Sequence, residues 1–191
     1  MTAPQNFLSA DWSLLPKPED DGGARHLARL RLPSYGLDAT DGRKVDLSAI
    51  GGRTVLYIYP MTGQPGVALP DGWDGIPGAR GCTPQSCAFR DHFTDLTAAG
   101  ADQVFGLSTQ SVAYQQEAAQ RLHLPFALLS DADLAFSRAL SLPTFEAGGL
   151  TLLKRMALII DDSSISKVFY PVFPPDRNAA DVLEWLKEHP R

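Results

Sequence analysis

The stretch GARGCTPQSCAFRD, residues 78 to 91, carries both cysteines of a 191-residue chain, Cys82 and Cys87, with four residues between them. A thiol pair can act as nucleophile and resolver, as a redox sensor, or as part of a metal site. Cys82 stands where a loop gives way to an expected helix. Free backbone N–H groups and the positive end of the helix dipole favour a thiolate there, and Arg80 and Arg90 are close enough in sequence to add to the effect. A lowered pKa makes such a sulfur a nucleophile at neutral pH. Cys87 lies five positions on. In an intact helix that spacing is a rise of about 7.5 Å and a rotation of about 140°, leaving the two Cα atoms roughly 8 to 9 Å apart. A disulfide requires about 7 Å or less. The two sulfurs can therefore join only if the first turns of the helix unwind. The bland reading is two small core residues on an amphipathic helix. C-x4-C serves either reading, and its place at a helix start after a buried strand favours chemistry.

Metal chemistry fits poorly. Structural zinc takes four ligands, and two cysteines with the scattered His26, His92, His123 and His189 do not supply that spacing. No metal and no other cofactor is expected.

The elements that would position the pair read as follows. Residues 1–27, with Pro16, Pro18 and the run EDDGG, form an irregular N-terminal extension, and residues 28–191 form one domain. HLARLRLPSYGLDATDGRKVDLSAI suggests two short strands around the turn DATDG. GGRTVLYIYP ends in a continuous apolar run, the mark of a central strand buried on both faces. The Gly- and Pro-rich loop 61–79 follows, then a helix over about 83–99 with Phe89, Phe93 and Leu96 at helical spacing. QVFGLST is a second buried strand, and SVAYQQEAAQRLHL is a helix capped by Ser111 and closed by Pro125. ALLSD leads into a short helix, RMALIID is a third buried strand, and SSISKVFYPV pairs with it as a hairpin. NAADVLEWLKEH is the last helix, with Asn178 as its cap. This order predicts an α/β fold: a mixed sheet with helices on both faces and the cysteines at the carboxyl end of its first central strand, where such sheets place their sites.

Composition narrows the partners. The chain is 44% hydrophobic, enough for a full core, and its net charge of −5 comes without a run of Lys and Arg. No nucleic-acid or membrane-surface partner is expected. The longest strongly apolar stretch, MALII, is far short of the roughly 20 residues of a membrane helix, and the N-terminus has neither the basic start nor the unbroken apolar segment of a signal peptide. A cytoplasmic setting is expected, where a close cysteine pair is more often catalytic or redox-sensing than structural.

YIYP…GCTPQSCAFRD resembles the peroxiredoxins, specifically their bacterioferritin-comigratory or Q-type branch. That branch reads as a strand ending in Tyr-Pro, then Gly-Cys-Thr, a second cysteine five positions after the first, and an Arg-Asp pair. VFGLST, LPFALLSDAD and RMALIIDDSSI resemble further stretches of the same family, so the likeness runs over about residues 28–188. It implies a thioredoxin fold with an N-terminal addition. It implies a peroxidase of hydrogen peroxide and organic hydroperoxides in which Cys82 is the peroxidatic cysteine and Cys87 the resolving one, forming a disulfide within one chain. A thioredoxin-type reductant would regenerate both thiols, and Arg155 would hold the thiolate and polarise the peroxide. The bland alternative for Arg155 is a strand-mouth charge paired with Asp161 or another acid. Because the bridge needs no second chain, a monomer is expected.

The family motif Pro-x3-Thr-x2-Cys is not kept. Counting back from Cys82, Ala79 stands at the threonine position and Gly75 at the proline position. Pro60 fits the strand-ending proline, but 21 residues separate it from Cys82 where the motif has six, an insertion of about fifteen. Thr62, beside Pro60, and Thr83, beside Cys82, are both candidates for the peroxide-binding hydroxyl. Trp73 in the inserted loop is a lid or docking residue, or else a patch on the core. Two other functions compete: a thiol–disulfide oxidoreductase, against which C-x4-C argues because that chemistry favours C-x-x-C, and a redox sensor or holdase whose helix unwinds on oxidation.

Overall fold

The computed structural model describes residues 10–191. Among the described residues nine strands form a seven-stranded and a two-stranded sheet. The strands of the main sheet are β1 (Gly36–Ala39), β2 (Lys44–Asp46), β3 (Arg53–Ile58), β4 (Gln103–Ser108), β5 (Leu128–Ser130), β8 (Met156–Asp161) and β9 (Ser164–Phe169), in the order β2-β1-β5-β4-β3-β8-β9. β3, β4 and β5 run parallel at the centre, and antiparallel pairs flank them on both sides. Every residue of β3 is buried, because the strand is covered on both faces. Its side chains alternate accordingly: Leu56 and Ile58 join one core cluster, and Val55, Tyr57 and Tyr59 the other.

The helices are α1 (Cys82–Asp91), α2 (Phe93–Ala98), α3 (Val112–Arg121), α4 (Ala135–Leu140) and α5 (Asn178–Glu188). Phe89, Leu96, Val182, Leu183 and Leu186 bring α1, α2 and α5 onto the Tyr57 face. Phe136 and Leu140 bring α4 onto the other, together with Ala24 and Leu27 from the N-terminal segment. This is the mixed sheet with helices on both faces that the sequence predicts, a thioredoxin fold. No helix among the described residues is long and apolar enough to cross a membrane.

Several local expectations are corrected. The helix expected over 83–99 is two helices, broken at His92, whose backbone N–H and ring both turn back to the Ala88 carbonyl. Ser111 caps α3, accepting from the Tyr114 N–H as expected. Asn178 is not the cap of α5: Arg177 occupies that position, and the Asn178 side chain is buried and bonded elsewhere. The hairpin β6 (Thr144–Ala147) and β7 (Leu150–Leu153) was not expected. Its signal is the Gly148-Gly149 pair, both at positive φ, which suits a tight turn between strands.

Candidate active site

Two topological facts build the site. The chain leaves the carboxyl end of β3, crosses the inserted loop and enters α1 at Cys82. β8 runs antiparallel to β3, with Met156 opposite Ile58, so the start of β8 lies beside the end of β3. Arg155, the residue before β8, is thereby delivered to the same edge as Cys82.

Gly81 makes the entry into α1 possible. It sits at φ 106°, a conformation that suits glycine, and a Cβ there would lie 2.6 Å from Pro175 Cγ and 2.9 Å from the Trp12 ring. No side chain among the described residues caps the helix start, which leaves the Cys82 and Thr83 amides without a side-chain acceptor at the positive end of the helix dipole.

Cys82 is buried, 3% exposed. Arg155 Nη2 lies 3.2 Å from its Sγ, and the Ala79 carbonyl lies 3.6 Å from the same atom. Arg155 is itself 3% exposed. Its Nη2 also donates toward the carbonyls of Gly78, Ala79 and Arg80 at 3.1–3.2 Å, and its Nη1 donates to Gln85 Oε1. Its Nε is a buried nitrogen without a partner. Among the described residues Arg155 pairs with no carboxylate. Asp161, the alternative partner, is taken by Arg53 at 2.7 Å. The guanidinium charge is thus held by neutral acceptors and directed at the sulfur, in a buried setting where a charge acts over short range with little screening.

Gln85 is the residue that sequence reasoning missed. It is fully buried, and its amide orientation is fixed by chemistry: Arg155 can only donate, so Oε1 must face it, and Nε2 then donates to Asn178 Oδ1 at 2.9 Å. Cys82, Gln85, Ser86 and Phe89 are all buried at helical spacing on α1. A glutamine in that stripe was the available signal.

Cys87 lies mid-helix and half-buried, and both cysteines are free thiols. Burial pushes the Cys87 thiol up, against the opposing pull of nearby Arg90. With α1 wound from Cys82 to Asp91, the cysteines stand five positions apart along an intact helix, the geometry that keeps a disulfide open. Arg80 Nη1 grips Asp74 at 2.7 and 2.9 Å, and Arg80 lines the small cavity at Cys82.

The remaining candidates fall in different places. Pro60 is buried just beyond β3. The Thr62 hydroxyl and amide both donate to Gln110 Oε1, at 3.2 and 2.9 Å. Thr83 lines a cavity of about 20 Å³ together with Cys82, Gly81, Met61, Leu69 and Trp73, and Thr62 does not. No cluster of metal-binding side chains occurs among the described residues.

Comparison with known proteins identifies the family. Residues 28–183 match the Redoxin family. The chain is 32% identical over 162 residues to peroxiredoxin Bcp of Escherichia coli (strain K12), covering 82% of this chain and 93% of that protein. It is 32% identical over 157 residues to chloroplastic peroxiredoxin Q of Oryza sativa subsp. japonica, covering 81% of this chain but 64% of the rice protein, so the chain spans under two thirds of that relative's length. Peroxidoxin BcpB of Mycobacterium tuberculosis shares the fold, with TM-score 0.69 at 24% identity over 86% of this chain and 98% of that one. The chain belongs to the redoxin family, among its peroxiredoxin Q and Bcp members.

Proposed function

We propose that the chain is a thiol-dependent peroxidase reducing hydrogen peroxide and organic hydroperoxides. The observation that carries this reading is the Arg155 guanidinium 3.2 Å from the Cys82 sulfur with no competing carboxylate among the described residues. The Cys82 thiolate attacks the distal oxygen of the peroxide. An S–O bond forms, the O–O bond breaks, and the leaving oxygen departs with a proton as water or an alcohol. Arg155 stabilises the sulfur anion and the charge that develops on the leaving oxygen, in a preorganised, water-poor site. Thr83, which shares the cavity with the sulfur, is our candidate for the peroxide-binding hydroxyl in place of the residue missing at Ala79.

The first turns of α1 then unwind and the Cys87 sulfur displaces hydroxide from the sulfenic acid, giving water and a Cys82–Cys87 disulfide. A dithiol reductant of the thioredoxin type opens that bond by exchange and is itself oxidised. Both thiols lie on one helix, so a monomer completes the cycle. The two free thiols suit a reducing compartment such as the cytoplasm.

Stopped-flow mixing with hydrogen peroxide tests the assignment. Cys82→Ser should abolish peroxide consumption. Cys87→Ser should reduce one peroxide per chain and then stop without a disulfide. Arg155→Ala should slow the first step by about a hundredfold or more, the scale of losing one positioned charge-stabilising donor. Consumption by Cys82→Ser at the wild-type rate would sink the reading.

A further inference from the structure

The inserted loop is not a loose surface excursion. Trp73 begins a short turn, Trp73–Gly75, and is 4% exposed. It belongs to a small apolar cluster separate from the two main ones, made of Met61, Trp73 and Ala79 from the loop and Ala147 and Leu152 from the β6–β7 hairpin. Leu69, Ile76 and Phe145 pack against that cluster, with the Phe145 ring centroid 6.2 Å from that of Trp73. Arg80, just after the loop, holds Asp74 through both carboxylate oxygens. The loop is thus packed on the hairpin and tied to the start of α1 by an ion pair, and it lines the cavity at Cys82.

What remains beside the sulfur is small. The cavity of about 20 Å³ is walled by Met61, Leu69 and Trp73 from the loop and by Ala10 from the N-terminal segment. One water needs about 10 to 15 Å³ of such space. A hydroperoxide must bring its distal oxygen to about 3 to 3.5 Å from the sulfur and lie in line with it. Hydrogen peroxide adds one further oxygen behind that atom. An alkyl hydroperoxide adds a carbon framework that meets the apolar wall.

We propose that Trp73, seated on the β6–β7 hairpin, is the specificity-determining wall of the peroxide site, admitting hydrogen peroxide and placing branched or aromatic hydroperoxides at a disadvantage. The proposal rests on the peroxidase reading and adds to it the size class of the preferred substrate. The wall acts on selectivity because a side chain that must be displaced raises the barrier for the bulky substrate more than for the small one.

The test compares kcat/KM for cumene hydroperoxide and hydrogen peroxide in the wild-type chain, in Trp73→Ala and in Leu69→Ala, which opens the same wall with less loss of buried surface. Wild type should favour hydrogen peroxide, and the ratio of cumene hydroperoxide to hydrogen peroxide should rise about tenfold in Trp73→Ala, with a smaller rise in the same direction in Leu69→Ala. If Trp73→Ala does not fold, the direction of the Leu69→Ala shift decides. Hydrogen peroxide consumption with the same ratio in wild type and variants would overturn the wall and leave the peroxidase reading standing. A wild-type chain that consumes neither peroxide would overturn both.

Discussion

At the scale of single residues the site is a contest for one guanidinium. Arg155 has Gln85, three carbonyls and the Cys82 sulfur as partners, all uncharged except the sulfur when ionised. Gln85→Glu, nearly isosteric, would place a carboxylate against Nη1 and draw the charge away from the sulfur. The expected outcome is a folded protein whose sulfenic acid forms about tenfold more slowly, measured by stopped-flow tryptophan fluorescence; an unchanged rate would show that Gln85 only fills space. Cys87 gives a second residue-level prediction. Burial holds its thiol above the ordinary range, and the thiolate is the attacking species. The ionised fraction therefore grows about tenfold per pH unit below that raised value, so disulfide formation should accelerate steadily from pH 6 to pH 8. A rate flat over that window would mean that unwinding of α1, rather than ionisation of Cys87, sets the pace.

At the scale of elements, the proposed chemistry depends on how α1 begins. Gly81 is pressed between Pro175 and Trp12, and any Cβ would collide with both. Gly81→Ala adds a left-handed strain of about 1 to 2 kcal/mol to that collision. It should lower Tm by several degrees in a thermal melt and slow peroxide reduction, because the helix start that carries Cys82 must shift; wild-type melting and rate together would refute this. The elements were legible in the sequence where period and punctuation were strong. The apolar run in β3, the Ser111 cap and the DATDG turn each express a local rule. The break at His92 was hidden because Phe89, Phe93 and Leu96 keep helical spacing across it. Asn178 misled for the opposite reason. Asparagine is a good cap by local rules, but here its amide is drawn inward to Gln85 across 93 residues of chain, and no local pattern carries that pairing. The site divides the same way. Cys82 and Cys87 stood out through residue type and spacing and Arg155 through the family resemblance, whereas Gln85 and the seating of Trp73 on the hairpin are tertiary facts.

At the scale of the whole molecule, one buried cation ties the sheet to the terminal helix. Arg53 opens β3 and is 6% exposed. Its Nε and Nη2 donate to the two Asp161 oxygens at the end of β8, at 2.7 and 3.2 Å. Its Nη1 donates to the His189 carbonyl just beyond α5 at 2.7 Å, and its charge lies 5.4 Å from the centre of the Trp185 ring. Burial alone would push the Asp161 carboxyl up, but hydrogen bonds from Arg53 and Ser166 and the Arg53 charge outweigh it and leave the group below its ordinary value. A carboxyl depressed in the folded state stabilises the fold above its unfolded value of about 3.9 and loses that contribution as pH falls through the depressed value. Asp161→Asn leaves Arg53 without its counter-charge, so it should cost up to about 3 kcal/mol at pH 7. Urea unfolding of both proteins at a series of pH values checks the sign. The gap between wild type and Asp161→Asn should be widest near neutrality, begin to close below pH 4, and vanish once the wild-type carboxyl is protonated. A gap that stays constant down to pH 2 would show that Asp161 holds β3 and β8 together by shape and hydrogen bonding, and not by charge.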